Sequence, residues 1–140
     1  AGCCAQMVGF AVMSYRENRF GGLVAQGIGT SMIQMPNLVK KPILWLPSII
    51  SSAILGPVSS AVLKMVSTPV GSGMGSAGLV GQFSAFEAMT AAGTKPTIAL
   101  LQIIVMHFVL PATVTLGIAE GMRKLGLIKS GDLKLVDINK

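Results

Sequence analysis

Charge in this chain comes only at wide intervals. Residues 1–15, 20–39, 42–63, 65–86 and 96–119 contain no Asp, Glu, Lys or Arg. A helix needs about 20 predominantly apolar residues to cross roughly 30 Å of hydrocarbon. Four of the uncharged runs reach that length, and the run 1–15 falls short of it. One small soluble core has no room for four such segments, because a chain of this size keeps much of its surface in water. The composition agrees: 11% of residues are charged and 51% are hydrophobic, where a soluble domain carries about 25% charged residues. The expectation is an all-α, polytopic integral membrane protein with four to five hydrophobic segments, its outer surface in lipid.

One motif argues for a different class and fails on its context. Gly73-Met-Gly-Ser-Ala-Gly78 matches the dinucleotide fingerprint G-x-G-x-x-G. That fingerprint works when it follows a buried strand, opens a helix, and is answered by an acid about 20 residues later. Here Pro69 sits where a central strand needs an N–H donor. The next acid, Glu87, is only nine residues past Gly78. A soluble nucleotide-binding enzyme is therefore the weakest reading of this chain.

The glycines suit another purpose. Residues 68–82 place glycine at 71, 73, 75, 78 and 81, and each disfavours a continuous helix by about 1 kcal/mol relative to alanine. In hydrocarbon, freed backbone groups must be satisfied internally, so a broken helix survives only inside protein or beside a wet cavity. Two readings stand together: a broken or re-entrant segment, and close helix packing through Gly71-x-x-x-Gly75. Lys64 lies between two such runs. As one helix, residues 42–86 would measure about 67 Å, twice the bilayer core, and a mid-membrane lysine costs about 2.5–3.5 kcal/mol. The chain is expected to turn there.

If all five runs cross and the tail is cytoplasmic, Arg16, Arg19, Lys64 and the five basic residues after Glu120 face inward, against Lys40, Lys41 and Lys95 outside. A re-entrant 65–86 moves Lys64 to the outer side. Both arrangements put the C-terminus inside, and the positive-inside count favours five crossings. The domain reading is a transmembrane unit over 1–120 and a cytoplasmic, soluble tail over 121–140. Ala1–Tyr15 lacks a basic leader, and the chain is expected to be the C-terminal part of a longer protein. No internal repeat is visible.

Candidate site residues are the polar groups stranded in these runs. Gln26, Thr30, Gln34 and Asn37 are spaced 4, 4 and 3 apart, which sets them within about 80° of one helical face. Such a stripe must face protein or water. It either binds a neutral, hydroxyl-rich solute or joins helices. Pro36, Pro42, Pro47 and Pro57 break the neighbouring backbone, and nearby serines can offset the freed carbonyls. His107, the only histidine, sits 12 residues after Lys95 and 13 before Glu120, near mid-membrane. Pro111 has no N–H for its carbonyl. An intramembrane ionisable residue is a candidate for substrate contact or gating, and a neutral histidine bonded to a neighbouring helix is the alternative. Glu87, with Gln82 near it, binds solute or pairs with Lys95 at the membrane interface.

Other classes find no support. Cys3 and Cys4 are adjacent, so neither a disulfide framework nor a metal-ligand spacing exists, and no cofactor is expected. The net charge of +6 is ordinary for a membrane protein with cationic inner loops. It carries no basic stripe interleaved with aromatics, so nucleic acid is not a partner.

Gly29-Thr-Ser-Met-Ile-Gln-Met-Pro-Asn37, Pro42-Ile-Leu-Trp-Leu-Pro-Ser48, Ala53-Ile-Leu-Gly-Pro57 and Gly73-Met-Gly-Ser-Ala-Gly-Leu-Val-Gly-Gln82 together resemble a divergent, IIC-like branch of the membrane (IIC) subunit of bacterial phosphotransferase-system sugar permeases. The similarity runs to about Lys134. The resemblance implies a multi-pass protein of the bacterial inner membrane that takes up a small neutral solute, a sugar, and has IIA and IIB subunits and the phosphocarrier HPr as partners. It leaves room for a homodimer. The phosphorylating chemistry would then lie on those separate subunits, and no catalytic residue is inherited here. Better-understood permeases of this system use an acid and a histidine at the sugar, for which Glu87 and His107 are analogues at fold level only. Two alternatives remain: a carrier or exporter of another small molecule on a similar scaffold, and a membrane sensor without transport.

Overall fold

The computed structural model describes residues 1–135. Every element among them is helical: α1 (Gly2–Met13), α2 (Tyr15–Val24), α3 (Met35–Lys40), α4 (Leu46–Pro57), α5 (Pro69–Met74), α6 (Val80–Ala91), α7 (Pro96–Ile104) and α8 (Leu110–Lys124), linked by tight or widened turns. Proline opens many of them. Pro36, Pro42, Pro47, Pro69 and Pro96 each sit in the first turn of a helical piece, where a missing N–H leaves no bond unmade.

Two stretches are long and apolar enough to cross a membrane, Pro42–Val62 and Pro96–Lys124. The expected four to five spans are thus two continuous helices, with the other runs short or broken. In the first, α4 passes into a widened π-turn over Val58–Val62. In the second, α7 and α8 are joined by a π-turn over Val105–Val109. Pro111 explains the latter locally: its ring cannot donate to the carbonyl of His107, and the helix widens around that gap.

The run 20–39 does not form one helix. It leaves α2 through a π-turn at Ala25–Gly29, becomes extended at Thr30 (φ −152°, ψ 138°), and continues through a 3₁₀ turn into α3. The polar stripe proposed for a single helical face is therefore divided over three backbone conformations. Nor does this run cross. Lys41 pairs with Asp132, while Arg16 and Arg123 pair with Glu120 and Glu17, so both ends of hairpin one (residues 15–40) lie at the end of the molecule that holds the tail. The expected placement of Lys40 and Lys41 on the opposite side from Arg16 is overturned by that contact.

The run 65–86 is a second hairpin, entering from the other end. Lys64 takes a positive φ of 49°, the turn expected there, and α5 is only 6 residues long, about 9 Å of helix. The chain reverses through Gly75, Gly78 and Leu79, all at positive φ, into α6. The reversal brings backbone against backbone. A Cβ on Gly81 would lie 2.1 Å from the Gly75 carbonyl oxygen, and one on Gly71 would lie 2.3 Å from Ser84 Cβ. Close packing and a broken helix, the two readings of these glycines, occur together. The G-x-G-x-x-G match opens α6, but a helix precedes it rather than a strand.

The layout is thus a hairpin and a proline-led long helix, followed by a second hairpin and a second such helix running the opposite way. No repeat was visible in the sequence because the two halves share this order and not their residues. α1 lies inside, buried on nearly every face and packed against α4 and α8. A helix apolar all round belongs in such a position. Gly9 lets it close on α8, since a Cβ there would reach 2.9 Å from Thr115 Oγ1.

Three apolar clusters stack along the axis. Phe10, Met13, Leu38 and Leu44 fill the tail end, Ala5, Leu55 and Met106 the middle, and Met89, Ala99 and Ile103 the far end. Ile128 and Leu133 belong to the first cluster. The segment after Glu120 is therefore not a free appendage: α8 runs on to Lys124 and residues 125–135 fold back on the body. The tail reading of 121–140 also takes in residues 136–140, which lie outside the described residues.

Candidate functional site

The broken elements converge on one cavity of about 160 Å³. That is room for about five waters at liquid density. Its walls come from three places. The π-turn after α4 and the coil beyond it supply Ser59, Met65 and Ser67; hairpin two supplies Gly71, Ser72, Gly75, Gly81 and Ala85; and the π-turn between α7 and α8 supplies His107. Cys4 of α1 lies in the inner wall.

Each wall is polar for a local reason. Ser59 Oγ donates to the Gly56 carbonyl at 3.0 Å, the back-bonding to the preceding turn that a serine makes within a helix. Thr68 caps α5, its Oγ1 accepting from Gly71 N–H at 3.1 Å. His107 is buried, and its Nδ1 has no hydrogen-bond partner within the protein. A buried polar nitrogen without a partner costs about 1–3 kcal/mol, so a donor that reached Nδ1 by a small movement of the ring or its neighbours would be favoured. Gln82 stands immediately behind this wall. Its Nε2 donates to Cys4 Sγ at 3.5 Å, and its Oε1 is buried without a partner.

The remaining candidates lie elsewhere. Gln26 is fully buried and donates to Ser14 Oγ at 2.7 Å, tying the π-turn of hairpin one to the end of α1. Thr30 is exposed and caps its own 3₁₀ turn through Met32 N–H at 3.2 Å. Gln34 and Asn37 donate to the main-chain carbonyls of Leu133 and Lys134 at 2.9 Å each. Glu87 is exposed on α6 and takes part in no ion pair with Lys95 among the described residues. Of the seven candidates, the structure brings His107 into the cavity and Gln82 to its edge. Sequence reasoning missed Ser67, Ser72 and Cys4. The first two flank the glycine run and were open to notice; nothing in the sequence marked Cys4.

The hairpins meet tip to tip beside this site. Ser76 Oγ, fully buried, donates to the Gly27 carbonyl at 2.6 Å. That carbonyl is available because the helical stretch ends at Gly29, which leaves its last carbonyls without an intrahelical donor. Among the described residues no group of three or more His, Cys, Asp or Glu side chains is placed to hold a metal ion. The arrangement suits recognition of an uncharged solute by hydroxyls, amides and exposed backbone.

Comparison with known proteins agrees with this architecture. The family model described as Phosphotransferase system, EIIC matches residues 1–135. No curated protein and no solved structure gives a significant match. A match over nearly the whole chain, on a body of two helices long and apolar enough to span a membrane and two broken hairpins, leads to one conclusion: this chain belongs to the phosphotransferase-system EIIC family, the membrane permease component of that system.

Proposed function

We propose that this chain forms the solute-handling part of a sugar permease of the bacterial inner membrane, taking up a small neutral, hydroxyl-rich molecule through the His107 cavity. One observation carries the reading: a polar cavity walled by three interrupted helices, with buried His107 in its lining and the Nδ1 of that ring unpartnered. Discontinuous helices meeting near mid-membrane are the usual construction of carrier sites. His107 would exchange a hydrogen bond with a sugar hydroxyl. The serines and the glycine backbone of hairpin two would take the remaining hydroxyls, and Gln82 would reach the cavity by a rotamer change. Glu87 lies outside this site as a candidate for the mouth rather than the floor.

In this reading α4 with its flanking turns, and α7 with α8, span the bilayer, while the two hairpins re-enter from opposite sides. The charged end, with Arg16, Arg19, Lys41 and the tail, is cytoplasmic. The sugar would be phosphorylated there by a IIB subunit charged through IIA and HPr, because His107, the imidazole of the cavity, lies near mid-membrane and out of reach of a soluble phosphoryl donor. A homodimer is compatible with the apolar outer face and is not required by the site.

The test is uptake and phosphoenolpyruvate-dependent phosphorylation in membrane vesicles containing the full-length protein with its IIA, IIB and HPr partners. Sugar phosphorylation is expected, and His107→Ala should lower apparent affinity about tenfold, the effect of one lost buried hydrogen bond of about 1.4 kcal/mol. Failure to phosphorylate any sugar removes the phosphotransferase role. Unchanged affinity in His107→Ala moves the site away from this cavity.

A further inference from the structure

Residues 125–135 contain no helix, yet they are held by an unusual set of bonds. Asn18 Nδ2 donates to the Leu133 carbonyl at 2.7 Å, and its Oδ1 accepts from Leu135 N–H at 2.8 Å. One amide thus takes the donor and acceptor that a neighbouring β-strand would take. The Leu133 carbonyl accepts a second bond from Gln34 Nε2 at 2.9 Å, and Asn37 Nδ2 holds the Lys134 carbonyl at 2.9 Å. Between them the Leu133 side chain drops into the apolar cluster with Leu38 and Leu44, fully buried. Lys41 pairs with Asp132, and Glu17 accepts from Gly131 N–H at 3.4 Å.

Two features set this apart from ordinary tail packing. The recognition is of main chain, through three side-chain amides and one leucine pocket, which is the way proteins seize extended peptides. The amides also come from both legs of hairpin one: Asn18 lies on the way in, Gln34 and Asn37 on the way out. A single carbonyl, that of Leu133, joins the legs. We propose that residues 131–135 are a strap that docks and undocks, and that its seat is an extended-peptide groove whose occupancy holds the two legs of hairpin one together. Because Gln26 and Gly27 form the inner turn of that hairpin, the strap at the charged end governs whether the tip facing Ser76 can move. The occupant is the chain's own tail. The inference does not depend on what the cavity binds.

The experiment uses the whole protein in lipid nanodiscs with Cys3→Ser and Cys4→Ser, and reads the alkylation rate of the thiol introduced by Leu38→Cys, which lies beneath the strap. Leu133→Asp should raise that rate at least tenfold. Asn18→Ala, which removes the bonds to Leu133 and Leu135 and leaves the leucine pocket intact, should give an intermediate rise. A synthetic peptide with the sequence of residues 129–140, added in trans to the Leu133→Asp protein, should restore protection, and the same peptide carrying Asp at the Leu133 position should not. Rates within twofold across all variants overturn the strap. Acceleration that the peptide fails to reverse overturns the groove, and shows the tail to be a fixed part of the fold.

Discussion

The two hairpins reverse the chain at similar depth by opposite means. Hairpin one keeps its side chains and gives each a partner: Gln26 Nε2 on Ser14 (its Oε1 stays buried without one), Gln34 and Asn37 on the tail, Thr30 on its own turn. Hairpin two discards side chains, and glycine lets backbone lie on backbone at Gly81 and lets Ser84 press on the backbone at Gly71. The first is therefore closed by partners that can leave, and the second by shape that cannot. Only the second borders the polar cavity, where a fixed wall keeps a weakly bonded solute in register.

That contrast orders the expected effects. Gly81→Ala forces a Cβ against the Gly75 carbonyl oxygen, a backbone atom with nowhere to go. Overpacking of this kind costs about 3 kcal/mol, and loss of the folded protein by thermal unfolding in detergent is the expected result. Gly21→Ala in hairpin one, where nothing lies within 4 Å, should leave the melting temperature unchanged or slightly raised. Equal behaviour of the two variants would erase the distinction.

Gln34→Ala is next, at about 2 kcal/mol, because it removes two hydrogen bonds of about 1 kcal/mol each, one to the Leu133 carbonyl, which keeps Asn18, and one from Asn37. Removing the tip contact with Ser76→Ala should cost about 1 kcal/mol and, if the tips must part during transport, should raise the transport rate while it lowers stability. Acid loosens hairpin one last and least. Burial alone would raise the carboxyl of Asp132, and the bonds from Lys41 and Lys129 N–H outweigh it, holding the group below its ordinary value. Its contribution is complete above the ordinary carboxylate range and fades as pH falls through the lowered value, below about pH 4. The ratio of Leu38→Cys labelling in the Leu133→Asp background to that with the native tail, taken at each pH so that the thiolate fraction cancels, should therefore be constant near neutral pH and shrink only in acid, whereas protection of hairpin two should not change.

How far the sequence foretold this follows from the kind of signal each feature carries. Uncharged length and proline placement marked both long helices, and the charge on Lys64 marked the turn beside it. The glycine run announced a break, since glycine's effect on backbone is local. The 3.6-residue spacing of Gln26, Thr30, Gln34 and Asn37 misled because periodicity presumes a continuous helix, and a π-turn shifts the register without any strong local marker. The positive-inside count failed at Lys41 for a different reason: a basic residue does not say which surface it is near, and its partner Asp132 is 91 residues away. His107 stood out by its depth, and the structure puts it in the cavity wall; Cys4 was invisible, because an inner helix shows only that it is apolar.

Neither meeting tip carries a formal charge: residues 25–34 and 74–80 contain no Asp, Glu, Lys or Arg. Parting them would sweep no elementary charge through the electric field of the bilayer, which otherwise acts with about 2.3 kcal/mol per charge for every 100 mV. If the tips part during solute passage, that movement by itself would be insensitive to whether the cell is energised or depolarised.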